Sequence, residues 1–394
     1  MARKPPRDSP RLMLRVTARS RPGHPWVFSN EVLSPPVIQL PPGGAVEVVD
    51  AQGRVMGRGY ANPNSLIAVR LFCGASDSPD DPDLYVRRLR DALALRERVV
   101  PGRRSYRLCA GEADSLPGVI IDRYEDVLSV QITTRGMEDR KAMIRAAIEA
   151  VIAPKGVIFR GDVPLRAMEG LPLERGLWWG EVPPRVRFSE NGVTFEADLV
   201  DGQKTGFFFD QAENRAFMAA RVAGARVLDV YAHLGGWALV AMKHGASYAA
   251  TIESSAPANE LIRNNAAINE LSVDVLHGDA EVEMGKLPSQ SFDAVCIDPP
   301  AFAKNRKSAG AALGAYKRVN QAAARLVKAG GLLFTSSCSH HIEAERFEAT
   351  VVHGARSAGR RLQLVRRGGQ APDHPILPGV PETEYLKHLA FVVR

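Results

Sequence analysis

Four acidic side chains recur where apolar runs end in the second half of the sequence. They are Asp229 in RVLDVY, Glu253 in YAATIE, Asp279 after VDVLHG and Asp298 in FDAVCID. Carboxylates accept hydrogen bonds, and an acidic residue at the end of a second strand suits a ribose diol. Any one of them could instead cap the helix that follows it. Their recurrence at corresponding positions favours a site for a nucleotide-like ligand.

A candidate nucleophile lies in the run TSSCSHH, residues 335–341. Cys338 follows an apolar run, so it would lie at the same sheet edge as Asp298. An isolated cysteine is usually a buried structural residue, whereas a thiolate whose pKa is lowered by neighbouring cations is a strong nucleophile. His340 or His341 could lower that pKa. Cys296 lies inside the preceding apolar run and is predicted to be core.

A glycine turn follows the first of the acidic residues, in VLDVYAHLGG. Asp229 and Tyr231 close the predicted strand, and Gly235 and Gly236 open the next helix. Glycine lets a backbone approach a ligand closely, and a helix start offers free amide donors. Alone, this turn fits a plain structural turn equally well. It lacks the three-glycine spacing of a nicotinamide-binding turn, so hydride transfer ranks last among the alternatives.

An aromatic triplet, Phe207–Phe209, lies upstream in GQKTGFFFDQAENR. Three adjacent phenylalanines in a strand would normally be core, and at least one of them is predicted to be core. Their polar neighbours favour a ligand lid for the others.

These residues need a scaffold, and the pattern after Ala225 predicts one. Apolar strands alternate with helices, which indicates an α/β fold with a doubly wound parallel sheet. Such a sheet binds its ligand at the carboxyl ends of its strands, near the switch point. Before it, residues 11–72 read as a small all-β barrel, residues 76–82 as a linker, and residues 83–184 as a helix followed by mixed strands and helices.

Composition limits the class of protein. The 394 residues suggest two or three domains. The formal charge of +7 favours a polyanionic partner, although many basic proteins bind none. No apolar run is long enough to span a bilayer, and the N-terminus does not resemble a secretory signal. The four cysteines lack metal-ligand spacing, so we expect reduced thiols, no metal and a cytoplasmic location.

Together these residues resemble the bacterial ribosomal RNA large-subunit cytosine-5 methyltransferase family that carries an N-terminal PUA domain. The resemblance covers nearly the whole chain and keeps the order of its motifs. The motifs are RPGHPWVFS from Arg21, GRGY from Gly57, LPGVIIDRY from Leu116, KTGFFFDQAENR from Lys204, DPPAFAK from Asp298, YKRVN from Tyr316 and SCSHH from Ser337.

The resemblance implies three domains: a PUA-like RNA-binding domain over residues 1–75, a central α/β domain over 76–184, and a class I, Rossmann-like methyltransferase domain over 185–394. It also implies S-adenosylmethionine as cofactor and large-subunit ribosomal RNA as partner, and it is compatible with a homodimer. The residues that would line the cofactor are Lys204, Thr205, Phe207, Asp210, Gln211, Asp229, Tyr231, Gly235, Glu253, Asp279 and Asp298.

Two groups of residues could contact RNA. Basic residues after the Asp298 turn could grip phosphates or simply be solvated, and a first-domain group combines charge with an aromatic plane, although Trp26 alone would more often be core. The candidates are Arg19, Arg21, His24, Trp26, Lys304, Arg306 and Lys307.

The chemistry that the resemblance implies is methylation of carbon 5 of cytosine. Because that carbon is a poor nucleophile, a thiolate must first add to carbon 6, and Cys338 is the candidate, with Asp298 at the ring nitrogen edge. Related enzymes carry a second cysteine after the motif-IV prolines, where this chain has Ala301. Water or Asp298 would then assist release of the product.

Other functions stay open at this point. The chain departs from the family in YAHLGGW and in Glu253-Ser254-Ser255, where an aspartate is commoner. An S-adenosylmethionine-dependent enzyme could act on another RNA base, on transfer RNA or on a protein side chain, and methylation of a ring nitrogen would need no covalent adduct. A non-catalytic RNA-binding assembly factor is the remaining alternative, but the intact acidic residues argue against it.

Overall fold

A computed structural model describes residues 11–14, 24–74, 76–202, 206–303 and 305–394. These divide into two compact units. The first holds the described residues up to Val186, with the described parts of 198–206 and 372–383. The second holds 187–197, 207–371 and 384–394.

The first unit begins with a six-stranded sheet whose strand order is β2-β6-β5-β4-β1-β3. Strands β1 and β4 are parallel, and the other neighbours are antiparallel. Alternating apolar residues of this sheet, such as Val46, Val48 and Val69, form its own small core. The strands are β1 (Arg11–Leu14), β2 (Trp26–Phe28), β3 (Val32–Ser34), β4 (Ala45–Val49), β5 (Val55–Ala61) and β6 (Ile67–Cys73).

A five-stranded sheet of order β11-β10-β9-β8-β7 completes the first unit. Its first helix starts at an Asp81 cap, whose carboxylate accepts a hydrogen bond from the Asp83 amide, with Pro82 at the first helical position. The elements are α1 (Pro82–Val99), β7 (Ser105–Ala110), β8 (Val119–Tyr124), β9 (Val127–Ile132), α2 (Arg135–Glu138), α3 (Lys141–Val151), β10 (Gly156–Gly161), α4 (Pro164–Met168) and β11 (Glu174–Gly180).

A β-hairpin leads into the second unit. Asn191 and Gly192 connect its strands with positive φ angles of 48° and 79°, the conformation that a two-residue hairpin turn requires. Asn265 and Asn269 fasten the second strand to a helix, since their side-chain oxygens accept from the Glu196 and Thr194 amides at 2.8 and 2.9 Å. The strands are β12 (Val186–Glu190) and β13 (Val193–Ala197).

A seven-stranded sheet of order β16-β15-β14-β17-β18-β20-β19 forms the body of the second unit. Its first five strands are parallel, and β20 runs antiparallel to both of its neighbours. The elements are α5 (Ala212–Ala219), β14 (Arg226–Val230), α6 (Gly236–Lys243), β15 (Tyr248–Glu253), α7 (Ala256–Ile268), β16 (Asp274–His277), α8 (Ala280–Lys286), β17 (Phe292–Ile297), α9 (Ala309–Leu326), β18 (Val327–Ser337), α10 (Ala344–Ser357), β19 (Leu362–Gly368) and β20 (Lys387–Val393).

This arrangement confirms the predicted α/β class and its doubly wound parallel sheet. The central strands β14 and β17 are buried on both faces, as near-continuous apolar runs require. The antiparallel pair β19 and β20 was not predicted. Within the predicted all-β region, a 3₁₀ turn over Ser29–Glu31 separates β2 from β3.

No helix in the described ranges is both long and apolar enough to cross a membrane.

Candidate functional site

The predicted acidic residues meet at one edge of the seven-stranded sheet. Val230 pairs with Ile252 on one side and with Ile297 on the other, and Ile297 pairs with Thr335. The carboxyl ends of β14, β15, β17 and β18 are therefore level. The chain leaves β14 for β15 on one side, and β17 lies on the other, so this edge is the switch point at which such sheets bind ligands.

Asp229 lies on β14, and its side chain reaches the first turn of helix α6. Its Oδ2 accepts hydrogen bonds from the amides of Trp237 at 3.2 Å and Ala238 at 3.0 Å, and its Oδ1 is buried with no partner among the described residues. Burial raises the pKa of Asp229 to about 7. A buried carboxylate oxygen without a partner is costly unless a ligand donates to it.

The turn between β14 and α6 is held in left-handed backbone conformations. Tyr231, His233 and Gly235 have φ angles of 65°, 53° and 77°. Glu253, at the end of β15, supports this turn because its Oε2 accepts from the His233 amide at 3.0 Å. Its Oε1 accepts from the Ser255 amide at 2.9 Å. Sequence reasoning recognised the glycine, but non-glycine residues in this conformation gave no signal, and such strain is concentrated at functional sites.

Asp279 caps a helix, which is the simpler of the two roles that its sequence position predicts. Its Oδ1 accepts from the Val282 amide at 3.1 Å, so it is the N-cap of α8, and its side chain is exposed. Tyr231 is half-buried. Burial raises the pKa of its phenol, and the charge of the Asp279 carboxylate raises it further, to a smaller extent.

Asp298 is the centre of a hydrogen-bond network across the sheet edge. Its Oδ1 accepts from Gln211 Nε2 at 2.9 Å, and its Oδ2 accepts from the Trp237 indole at 3.3 Å. Gln211 Nε2 also donates to the Ser336 hydroxyl at 3.0 Å, which lies 2.9 Å from His388 Nδ1. Burial, and then the Asp210 charge, raise the pKa of Asp298 to about 6. This carboxyl group can therefore hold a proton closer to neutral pH than an ordinary aspartate.

Three members of this network were missed by sequence reasoning. Trp237 stacks on His388 with ring centroids 5.5 Å apart, and burial lowers the pKa of His388 to about 3, so its ring is neutral. His388 lies on β20, which was not predicted. Ser336 lies within the recognised TSSCSHH run, and its position at the end of an apolar strand was a usable signal.

The aromatic triplet has divided roles. Phe207 and Phe209 are buried against Phe188, with ring centroids 5.0 and 5.7 Å away, so both are core. Phe208 is half-buried, and its ring centroid lies 5.0 Å from that of His233 in the β14–α6 turn. Phe208 is thus the ring of the triplet that faces the candidate site. Lys204 and Thr205 lie outside the described residues.

Asp210 follows the triplet and is buried. Its Oδ2 accepts from the Tyr385 hydroxyl at 2.7 Å, and its Oδ1 has no partner among the described residues. Together with Asp229, it gives this edge two buried carboxylates with an unused oxygen each. Such a lining suits a ligand that carries positive charge or amino groups.

Cys338 follows β18 directly and is partly exposed, whereas Cys73, Cys109 and Cys296 are buried. Within the described ranges, none of the four forms a disulfide. The prediction of a core Cys296 is confirmed. Burial raises the pKa of the Cys296 thiol well above its usual range, so that thiol is inert.

A buried tyrosine fixes the segment around Cys338. The Tyr316 hydroxyl accepts from the Ser337 hydroxyl at 2.9 Å and lies 3.1 Å from the Ser339 hydroxyl. The Ser339 hydroxyl also accepts from the Ala303 amide at 3.2 Å, which connects the Cys338 segment to the turn after Asp298. The motif YKRVN therefore contributes its tyrosine as a support for the cysteine, a role that its sequence alone did not indicate.

The predicted RNA-contacting residues fall in both units. In the first, the Trp26 indole donates to Glu112 at 3.0 Å, Arg70 lies over its ring, and His24 pairs with Glu382 at 3.5 Å. In the second, Arg306 and Lys307 are exposed in a 3₁₀ turn after the Asp298 loop. Arg19, Arg21 and Lys304 lie outside the described residues.

Within the described ranges, no cluster of three or more His, Cys, Asp or Glu side chains is arranged to hold a metal ion.

Two family models match the chain. Residues 11–73 match the PUA-like domain, and residues 138–391 match the S-adenosylmethionine-dependent methyltransferase family. The first match covers the six-stranded sheet of the first unit, and the second includes the seven-stranded sheet with its acidic edge, except for the last two residues of β20.

Curated relatives match over nearly their whole length. Ribosomal RNA large subunit methyltransferase I of Shewanella denitrificans is 38% identical over 375 residues, covering 93% of this chain and 94% of the relative. The protein of the same name from Photobacterium profundum is 36% identical over 379 residues, covering 94% and 96%.

Solved structures share the fold. SMU.776 complexed with SAH superposes with a TM-score of 0.82 at 19% identity, covering 97% of this chain and 99% of that one. A SAM-dependent methyltransferase from Agrobacterium tumefaciens gives a TM-score of 0.50 at 14% identity, covering 70% and 87%.

Proposed function

Since this chain belongs to the S-adenosylmethionine-dependent methyltransferase family, we propose that it methylates carbon 5 of a cytosine in large-subunit ribosomal RNA through a covalent adduct on Cys338. The RNA class is supported by the relatives, whose names specify ribosomal RNA of the large subunit, and by the PUA-like match over residues 11–73. The observation that carries the chemistry is a partly exposed thiol, Cys338, at the acidic sheet edge.

The residues at this edge fit the cofactor. The unused buried oxygens of Asp229 and Asp210 suit the cationic methionine moiety, and Glu253 at the end of β15 retains acceptor capacity for a ribose diol. The left-handed Gly235 opens α6 without a side chain, which lets the backbone approach the ligand. When bound, S-adenosylmethionine supplies the electrophilic methyl group that carbon 5 takes up, and it leaves as S-adenosylhomocysteine.

In the proposed mechanism, Cys338 makes carbon 5 nucleophilic. Its thiolate forms a bond to carbon 6 of the cytosine, and the electron pair of the C5–C6 double bond becomes available at carbon 5. The Tyr316 hydroxyl, through Ser337 and Ser339, holds the residues on both sides of the sulfur. The attacking atom is therefore fixed before the base arrives, which lowers the entropic cost of the addition.

Asp298 is proposed as the acid at the ring nitrogen. Addition of the thiolate increases the basicity of N3, and a carboxyl group whose pKa is raised to about 6 can give it a proton. Gln211 and the Trp237 indole each donate to one carboxylate oxygen and so fix the orientation of the group. After methyl transfer, loss of the carbon-5 proton to water or to this carboxylate re-forms the double bond and expels the Cys338 thiolate, and N3 then releases to water the proton that it had taken up.

The target base must leave its stack to reach such a site, which favours a loop or opened region of the RNA. Exposed Arg306 and Lys307, in the turn after the Asp298 loop, support the proposal that backbone phosphates bind next to the base.

The test is methyl transfer from labelled S-adenosylmethionine to deproteinised large-subunit ribosomal RNA, followed by nucleoside mass spectrometry. We expect label in 5-methylcytosine with the wild type and its loss with Cys338→Ser. Cys109→Ser is the matched control, because Cys109 is buried in the first unit, where its thiol donates to the Val119 carbonyl at 3.3 Å. A serine keeps that hydrogen bond.

Label in another nucleoside would overturn the proposed base. Methyl transfer by Cys338→Ser at the wild-type rate would overturn the adduct, because the reaction would then need no thiol. Methylation of a ring nitrogen is such a reaction, since it needs no nucleophile from the protein. Label in transfer RNA with none in ribosomal RNA would overturn the RNA class.

A further inference from the structure

We propose that Lys387 keeps Cys338 in its reactive, ionised form, as a positioning residue whose ammonium group stabilises the thiolate. The proposal rests on the proposed function only in assigning that thiolate the role of the nucleophile. The charge pair itself is a property of the protein without RNA or cofactor.

The register of the sheet brings Lys387 to the cysteine. Strand β20 runs antiparallel to β18, and Lys387 pairs with Ser337, the residue before Cys338. The Lys387 ammonium donates a hydrogen bond to the carbonyl oxygen of Ser339, the residue after it, at 2.8 Å. The cation is therefore anchored to both sides of the cysteine, by strand pairing on one side and by its own head group on the other.

The anchoring explains why this cation stays in place. An exposed lysine samples many rotamers, and its charge is screened by water and salt. Lys387 is half-buried, and its head group is held by the Ser339 carbonyl. Because the interaction between charges increases as water is excluded, a fixed ammonium next to the thiol favours the thiolate over the neutral thiol.

Charged and titratable groups from several elements face this pair. Glu345 and Glu348 of α10 and Arg367 of β19 line the same pocket as Lys387. From α9, the Tyr316 hydroxyl lies beneath the segment, and its pKa is raised by burial and, to a smaller extent, by the Cys338 charge. Before β20, Glu384 is exposed, and its charge acts on Lys387 together with that of Cys338. On the cysteine segment itself, His340 is exposed and lies 5.8 Å from the Tyr385 ring.

Electrostatic effects on Lys387 itself agree with the pairing. Burial lowers the pKa of its ammonium group, and the negative charges of Cys338 and Glu384 oppose that effect. A half-buried lysine that has lost hydration is compensated by nearby anions, and the Cys338 thiolate is one of the two whose charge acts on Lys387.

The proposal makes Lys387 the electrostatic partner that sequence reasoning sought in His340 or His341. Both histidines are exposed, so their charge would be screened by water and salt. A lysine ammonium of ordinary pKa is charged throughout the neutral range, and at Lys387 the charges of Cys338 and Glu384 oppose the lowering of the pKa by burial.

The experiment measures the rate at which iodoacetamide alkylates Cys338 between pH 5 and pH 10, by peptide mass spectrometry on the full chain. Lys387→Met keeps the aliphatic stem and removes the charge, and Lys387→Arg keeps the charge. We expect Lys387→Met to shift the profile to higher pH and to slow alkylation at pH 7 by about tenfold. Lys387→Arg should stay close to the wild type.

Two further variants separate charge from structure. Lys328→Met is the matched control, since Lys328 begins β18 at the opposite edge of the sheet and pairs there with Asp293 at 2.8 Å. It should leave the alkylation profile unchanged. Lys387→Gln is a second neutral variant, which keeps an N–H donor for the Ser339 carbonyl, and it should shift the profile in the same direction as Lys387→Met.

An unchanged profile in folded Lys387→Met would overturn the proposal, as would equal slowing by Lys387→Met and Lys387→Arg, which would indicate a purely structural role. If Lys387→Met fails to fold, an unchanged profile in folded Lys387→Gln overturns it instead. The outcome is distinct from failure of the proposed function: a shifted alkylation profile with full methyl transfer by Cys338→Ser would leave the charge pair intact and remove its catalytic use.

Discussion

The replacement of Tyr316 by phenylalanine tests how the protein fixes its cysteine. Tyr316 is fully buried, and its hydroxyl bonds to both Ser337 and Ser339. The ring stays in place in Tyr316→Phe, so no cavity forms and only these two neutral hydrogen bonds are lost. At about 0.5–1.5 kcal/mol each, the free energy of unfolding should fall by about 1–3 kcal/mol.

The same change should loosen Cys338. A nucleophile displaced by about 1 Å can cost about 100-fold in rate, so we expect kcat to fall by about 10- to 100-fold while the Kd for S-adenosylmethionine is unchanged. Urea unfolding followed by circular dichroism gives the stability, and methyl transfer at saturating cofactor gives kcat.

Tyr248→Phe is the matched control. Its hydroxyl donates to Asp274 at 2.7 Å near the amino end of β15, far along the strand from the site edge, so kcat should be unchanged. Loss of less than about 0.5 kcal/mol in Tyr316→Phe, with a wild-type kcat, would refute the view that this hydroxyl fixes the cysteine.

Three further predictions concern the frame of the site. Glu190→Gln should cost about 3–5 kcal/mol in urea unfolding, because it leaves the buried guanidinium of Arg215 without its charge partner at 2.7 Å; a loss under about 1 kcal/mol would contradict this. The pKa of Asp229 is raised to about 7, so folding takes up a proton, and unfolding free energy should fall as pH rises from about 4 to about 7. Asp229→Asn should lose this dependence when urea midpoints at pH 5 and pH 8 are compared, and an unaltered dependence would exclude Asp229 as its source. Gly235→Ala, at φ 77° with its new Cβ 3.3 Å from Leu239, should cost about 1–2 kcal/mol and weaken S-adenosylmethionine binding in calorimetry; unchanged affinity would show that the turn does not contact the ligand.

The class of fold could be predicted from the sequence because its parallel strands are buried and follow a regular strand–helix rhythm. The apolar runs that end at Asp229, Glu253 and Asp298 are strands of the central sheet, and their level register follows from the parallel arrangement. The antiparallel pair β19 and β20 escaped prediction because no helix joins them. A segment of 18 residues, 369–386, lies between them with a single 3₁₀ turn.

That omission explains why two residues of the site, Lys387 and His388, were missed. Lys387 and His388 lie at the start of β20, 49 and 50 residues after Cys338 in the sequence, yet the strand pairs directly with β18. Local pattern carries no information about such a contact. The triplet Phe207–Phe209 is a different case, because its segment was recognised in the sequence as a candidate lid. The role of each ring depends on packing, which places Phe207 and Phe209 in the core and Phe208 at the site.

Other predictions stay predictions. These are the two domain boundaries, after residues 75 and 184, the roles of the individual cofactor residues, and the RNA contacts of His24, Trp26, Arg306 and Lys307. The structure adds a concrete competing role for Trp26, whose indole donates to Glu112 beneath Arg70. It adds none for Arg306 and Lys307, which are exposed.

The central claim is a covalent bond between Cys338 and carbon 6 of a cytosine, and a trapping experiment tests it most directly. In large-subunit ribosomal RNA substituted with 5-fluorocytidine, carbon 5 carries fluorine in place of the proton that must leave, so the adduct cannot resolve after methyl transfer. With S-adenosylmethionine present, we predict a denaturant-stable protein–RNA complex whose linked peptide contains Cys338, and its absence in Cys338→Ser. A wild-type protein that methylates unsubstituted RNA at cytosine but forms no such complex, or one linked through another residue, would contradict the account.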